Sequence, residues 1–148
     1  VNFPFEIQTE NPRKTQLVAM EFAQCILPDA LILLEGDLGS GKTVFVKGLA
    51  QAVGIDPAEV RSPTFVLAQE LEGSGGRLVH LDLYRIQMED VEKSGLLEHL
   101  WGPGLIAVEW AERLPVVPTW AWRVLLHWLG PSRRKIRILA PEQKGKLL

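Results

Sequence analysis

The stretch ALILLEGDLGSGKTVFVKGLAQAVG, residues 30–54, decides the fold. Its first six residues form an unbroken apolar run that closes on Glu35, the pattern of a parallel strand buried on both faces. From Lys42 onward the residues KTVFVKGLAQAV read as a helix, and Gly54 stands where that helix would be capped. Between the two, Gly36-Asp37-Leu38-Gly39-Ser40-Gly41-Lys42-Thr43 satisfies G-x-x-x-x-G-K-[ST]. Strand, glycine loop, helix is the context in which that pattern cradles phosphate. The glycines let the backbone of Asp37, Leu38, Gly39, Ser40 and Gly41 wrap tightly, so that successive N–H groups face one concavity. The loop opens on a helix N-terminus, whose dipole and free donors favour an anion. Lys42 is suited to bridge the β- and γ-phosphates of a nucleotide, and the Thr43 hydroxyl to ligate Mg2+.

Outward from this unit, VNFPFEIQ at the N-terminus predicts an edge strand, because Pro4 has no N–H to give a central ladder. A helix follows, with Asn11 as N-cap and Pro12 in its first turn. Two strand-like runs flank EGSGG, residues 72–76, and predict an antiparallel hairpin whose second strand leads to Asp82. The acidic segment MEDVEKSGLLEHLW, residues 88–101, reads as helical with a break near Gly95, and LIAVE, residues 105–109, as another buried strand. In WAWRVLLHW, period-two alternation puts Trp120, Trp122, Val124, Leu126 and Trp128 on one face. The turn GPS and the strand RRKIRILA complete a second hairpin. Parallel strands joined by helices, with hairpins added, predict a single α/β domain over residues 1–148: a P-loop NTPase-like mixed sheet with flanking helices and antiparallel hairpin additions.

With 148 residues, 47% of them hydrophobic, the chain has material for one core. The net charge of −2 argues against a general nucleic-acid binder, but the charge is unevenly spread. Residues 1–112 carry 8 Lys/Arg against 17 Asp/Glu, and residues 113–148 carry 8 against 1. The basic end suits either an anionic partner or a solvated hairpin. A single cysteine, Cys25, excludes an intramolecular disulfide and a cysteine-based metal site. Its helical spacing from Val18 and Phe22 predicts a buried core thiol. Neither a secretory leader pattern nor an apolar run of membrane-spanning length is visible, so a soluble, cytoplasmic protein with no membrane association is expected.

Mg2+ on a phosphate loop calls for a carboxylate at the end of a neighbouring strand. Asp82 and Glu109 both qualify. The first assignment is Asp82 beside the metal, with Glu109 either a second metal-side acid or the base that orients the attacking water; the two roles are interchangeable at this level. In SPTF, residues 62–65, Pro63 stiffens the chain, and Thr64 is a candidate switch threonine that meets the metal and the γ-phosphate; a Ser-Pro turn opening a strand is the competing reading. Guanine specificity is testable by absence: Asn2 and Asn11 are the only asparagines, so N-K-x-D does not occur and ATP is favoured. His80, on the face of Asp82, reads first as a hydrogen-bonded structural histidine. Trp110, directly after Glu109, is a core aromatic, a cover for the nucleotide or a partner contact.

Taken in order, GDLGSGKT, SPTF, HLDLYR and VEWAERL resemble the TsaE (YjeE) family of small bacterial P-loop ATPases that serve threonylcarbamoyladenosine synthesis in tRNA. The likeness extends over nearly the whole chain. It implies that Thr43, Asp82 and Glu109 serve Mg2+ and hydrolysis, with Thr64 in the switch. It also implies that Thr15 lies near the nucleotide and that Arg133 or Arg134 contributes there. Family members act with a TsaB–TsaD pair, so the resemblance implies an ATPase weak alone, stimulated by that pair, with tRNA an indirect or weak partner. One departure is visible: Ala111 stands in EWAERL where the family pattern leads one to expect proline.

Two other classes compete. A small-molecule P-loop kinase would share the loop, with Arg133, Arg134 and Arg137 imitating a lid. It would need a closing lid and an acceptor pocket, and little chain remains for either. A nucleotide-gated interaction module without catalysis would not need two strand-end acids and a switch threonine.

Overall fold

A computed structural model describes residues 2–61 and 68–142. The elements in chain order are β1 (Phe5–Thr9), α1 (Pro12–Ile26), β2 (Ala30–Glu35), α2 (Lys42–Ala52), β3 (Ala68–Gly73), β4 (Gly76–Asp82), α3 (Met88–Val91), β5 (Leu105–Glu109), β6 (Ala121–Trp128) and β7 (Arg134–Leu139). Short 3-10 turns cover Pro57–Glu59, Leu96–Trp101 and Ala111–Arg113. Among the described residues, seven strands form one sheet in the order β1-β7-β6-β2-β5-β4-β3. β6, β2, β5 and β4 run parallel; the hairpin partners β7 and β3 run against them, and β1, antiparallel to β7, returns to their direction. This is the mixed α/β sheet that the sequence predicts, with Pro4 beside the edge strand and the β3–β4 hairpin where EGSGG predicts it.

The apolar run of β2 is explained by burial on both sides. Ile32 and Leu34 face one cluster with α1 and α2, and Leu31 and Leu33 face a second with α3 and the 3-10 segments. Asn11 caps α1 by accepting from the Lys14 N–H at 2.8 Å. The acidic segment forms only α3 before breaking, and Gly95 adopts φ 81° ahead of a 3-10 turn.

Two expectations fail for local reasons. Trp122, Val124 and Leu126 do join the α1/α2 cluster, but Trp120 precedes β6 and packs in the other cluster, its ring 4.2 Å from that of Trp101. Trp128 is 57% exposed, because β6 outruns β2, whose last residue, Glu35, pairs with Leu125. Cys25 is exposed rather than buried. The buried stripe of α1 steps from Phe22 to Ile26, not to residue 25, and the thiol turns back on the Glu21 carbonyl at 3.5 Å.

Gly48 has the clearest steric reason for its identity. A Cβ there would lie 2.2 Å from the Gln16 carbonyl oxygen and 2.5 Å from Ala19 Cβ, so α1 and α2 meet on bare backbone. Alanine would gain about 1 kcal/mol of helix propensity in the open. Here overpacking against backbone outweighs it, and Gly48→Ala is expected to destabilise by about 2 kcal/mol in urea unfolding. A more stable variant would contradict the close crossing.

Candidate active site

The loop between β2 and α2 is built as the motif requires. Gly39 and Gly41 adopt φ 79° and 103°, left-handed values that side-chain-bearing residues avoid, and Gly41 opens α2 as its N-cap. The first N–H groups of any helix lack carbonyl partners within it, and in α2 these belong to residues at the loop. Ser40 is buried at the loop's base.

Lys42 folds back over the loop. Its Nζ donates to the carbonyls of Gly36 at 2.5 Å and Asp37 at 2.9 Å, with Ser40 Oγ at 3.4 Å. The Trp110 ring covers it, centroid 4.1 Å away. Burial lowers the Lys42 pKa, opposed by Glu109, Glu112, Asp82 and Asp37. The ammonium is therefore bonded to neutral oxygens while four acids act on it from farther off. An anionic oxygen offered to it would form a stronger bond than a carbonyl does.

Opposite the loop stand the strand-end acids, neighbours in register, with Asp82 beside Glu109. The Thr43 hydroxyl meets Glu109, at 2.9 Å from Oε1 and 3.0 Å from Oε2. Glu109 is buried and also lies 2.5 Å from His80 Nε2. Asp82 is half-buried and its Oδ1 accepts from the Tyr84 N–H at 3.0 Å. Burial raises its pKa, a shift the Tyr84 bond opposes and Glu109 reinforces. The structure thus brings Glu109, rather than the first-assigned Asp82, to the Thr43 hydroxyl; alternation alone cannot rank two adjacent strand ends. The pair of a threonine hydroxyl and one carboxylate suits Mg2+, which takes few protein ligands and leaves its other positions to phosphate and water.

Trp110 has φ 58°, the only non-glycine left-handed residue among those described. That turn lays its ring over Lys42 and 5.0 Å from the ring of Tyr84. Thr15 is buried, its hydroxyl 2.7 Å from that of Thr9, and it borders a cleft of about 20 Å3 with Gly41, Val44, Ser132 and Arg134. Leu38 is exposed at the loop tip. Thr64, with all of residues 62–67, lies outside the described residues.

Of the two arginines, the structure brings Arg134 to the loop and leaves Arg133 exposed. Arg134 Nε donates to the Ser40 carbonyl at 2.9 Å and Nη2 to the Gly39 carbonyl at 2.9 Å, while Nη1 bonds the carbonyls of Gly130 and Arg133. One guanidinium fork ties the loop to the β6–β7 turn. The sequence signal that separates the two is the strand register: Arg134 is the first residue of β7, opposite Thr9.

With this geometry in view, the comparisons are specific. The family model described as "Threonylcarbamoyl adenosine biosynthesis protein TsaE" matches residues 9–136. The chain belongs to the TsaE family. A TsaE relative from Aquifex aeolicus is 44% identical over 109 residues, 73% of this chain and 77% of the relative. One from Bacillus subtilis is 35% identical over 142 residues, 95% of this chain and 89% of the relative. Both are named tRNA threonylcarbamoyladenosine biosynthesis protein TsaE. The crystal structure of Bacillus subtilis YdiB superposes with a TM-score of 0.72 at 32% identity, covering 93% of this chain and 85% of that one. Among the described residues of this TsaE-family chain, no helix is long and apolar enough to cross a membrane.

If Arg134 braces the loop, Arg134→Ala accelerates amide hydrogen exchange at Gly39, Ser40 and Gly41, and Arg133→Ala leaves those amides at the parent rate. Equal effects of the two variants would contradict the assignment.

Proposed function

We propose that this TsaE-family chain is the ATP-binding and ATP-hydrolysing component of a tRNA threonylcarbamoyladenosine machinery, Mg2+-dependent, slow alone and stimulated by a TsaB–TsaD pair. The observation that carries the ATPase reading is the joint placement of Lys42 on the loop carbonyls and of the Thr43 hydroxyl on Glu109. The role in tRNA modification rests on the family, whose relatives carry it in their names.

In this reading the loop amides and the N-terminus of α2 bind the polyphosphate, and Lys42 leaves the Gly36 and Asp37 carbonyls for phosphate oxygens. Thr43 and Glu109 would hold Mg2+, with Asp82 next to Glu109 in register, and the ion would supply charge neutralisation. Glu109 or Asp82 orients the attacking water. Trp110, its ring tilted against that of Tyr84, covers Lys42. The remainder of the nucleotide has room in a groove of about 660 Å3 between α1 and α2, lined by Arg13, Lys14 and Lys47 and by no acid. That groove meets the loop through Pro12 and Val44, which also line the small cleft beside Gly41 and Thr15. ATP turnover then resets a protein assembly, with the 62–67 segment as the region that reports the nucleotide state.

The test combines variants and partners. Lys42→Ala is expected to cost about 1.5–3 kcal/mol in ATP binding, read by titration calorimetry. Glu109→Gln is expected to retain nucleotide and to lose hydrolysis about 10²-fold or more, with Asp82→Asn differing from it in Mg2+ dependence. Parent-like binding and turnover in Lys42→Ala would contradict the phosphate-loop assignment. For the partners, pull-down by a TsaB–TsaD pair is expected to differ among no nucleotide, ADP and a non-hydrolysable ATP analogue. Equal capture in all three states, with phosphorylation of a small-molecule acceptor, would replace the reading with a kinase.

A further inference from the structure

We propose that His80 is a positioning residue for this site: its imidazole fixes the Glu109 carboxylate in the orientation that meets Thr43. The inference rests on the reading of Thr43 and Glu109 as the Mg2+ seat given above.

The sheet brings the three groups together. Side chains alternate along β4 and β5, so Leu78, His80 and Asp82 share a face with Leu105, Ala107 and Glu109, the face covered by α2. His80 pairs in register with Ala107, one alternation short of Glu109. The small Ala107 side chain leaves the imidazole free to lean along the sheet, and Nε2 reaches Glu109 Oε2 at 2.5 Å. Both residues are closed to solvent, His80 at 0% and Glu109 at 3% exposure.

A histidine whose work is packing would be a poor choice here. Among the described residues its buried Nδ1 has no partner, a cost that leucine at the same position would avoid. The compensation is the bond of Nε2, and that bond goes to the carboxylate facing the loop. Among the described residues, the donors at Glu109 are Thr43 Oγ1 and His80 Nε2. The two are unequal. A threonine hydroxyl that ligates a cation turns a lone pair to the ion and its proton elsewhere. The Thr43 bond to Glu109 is therefore one the site must rearrange in use, whereas the His80 bond persists through the cycle. His80 holds a buried carboxylate that would otherwise lose its orientation when the hydroxyl turns. Groups that orient a metal's carboxylate ligand in this way set its affinity.

The experiment compares His80→Leu, which removes the donor, with His80→Gln, whose Nε2 can reach Glu109, and His80→Asn, whose shorter amide cannot. Urea unfolding first establishes which are folded; the Gln–Asn comparison stands if the Leu variant is not. Two readouts follow. In crystals of the nucleotide-free variants, Glu109 is expected to stay on Thr43 in His80→Gln and to rotate away in His80→Leu and His80→Asn. In Mg2+ titration of the ADP-loaded protein, affinity is expected to fall about 10–100-fold in His80→Leu and His80→Asn and to be largely restored in His80→Gln, with metal-free ADP affinity unchanged. Glu109 still on Thr43 with parent Mg2+ affinity in the Leu or Asn variant would overturn the proposal. So would a His80→Gln variant as impaired as the other two. A parent protein that binds no nucleotide would instead count against the ATPase reading, and the Glu109 orientation in crystals would still decide the role of His80.

Discussion

The Thr43 hydroxyl lies 2.9 and 3.0 Å from the two carboxylate oxygens of Glu109, and through that contact the helix after the glycine loop is joined to the strand beside it. The contact exists because β2 and β5 are parallel neighbours in a register that sets Leu34 opposite Glu109. Both strands then end at the same edge, where β2 feeds the loop and β5 delivers its acid. Parallel pairing in turn needs both faces of the sheet covered, which α1 and α2 do on one side and α3 with the 3-10 turns on the other. Gly48 lets the two helices approach closely enough to seal that first face. Arg134 braces the loop from the opposite flank.

Charge gives the same arrangement a chemical direction. Glu109, Glu112, Asp82 and Asp37 all act on the buried ammonium of Lys42. Such a concentration of acid opposes the arrival of a polyphosphate unless a cation accompanies it. On the proposed reading this is why a divalent ion belongs at Thr43 and Glu109. Lys42, held meanwhile by neutral carbonyls and the Trp110 ring, has weak bonds to exchange for strong ones.

Much of the fold is legible because its signals are local. The unbroken run of β2, the glycines of the loop, Asn11 before Pro12 and the EGSGG turn each specify their own conformation through backbone sterics or capping. What escapes the sequence depends on where elements end against one another. Trp128 fits the alternation of β6 but lies beyond the end of β2, and Cys25 misses the stripe of α1 by one residue. The choice between Asp82 and Glu109 at Thr43 is set by strand order, since β5 and not β4 lies beside β2, and that between Arg133 and Arg134 by where β7 begins. His80 reads as structural from its position alone. Only the bond to Glu109, and an Nδ1 without a partner among the described residues, distinguish it.

The most direct test of the account is a crystal structure with a non-hydrolysable ATP analogue and Mn2+ in place of Mg2+, with the metal located by its anomalous signal. The account predicts the manganese peak on Thr43 Oγ1 beside Glu109, with Lys42 Nζ moved from the Gly36 and Asp37 carbonyls onto phosphate oxygens. A metal held away from Thr43 and Glu109, or a bound analogue with Lys42 still on those carbonyls, would contradict it.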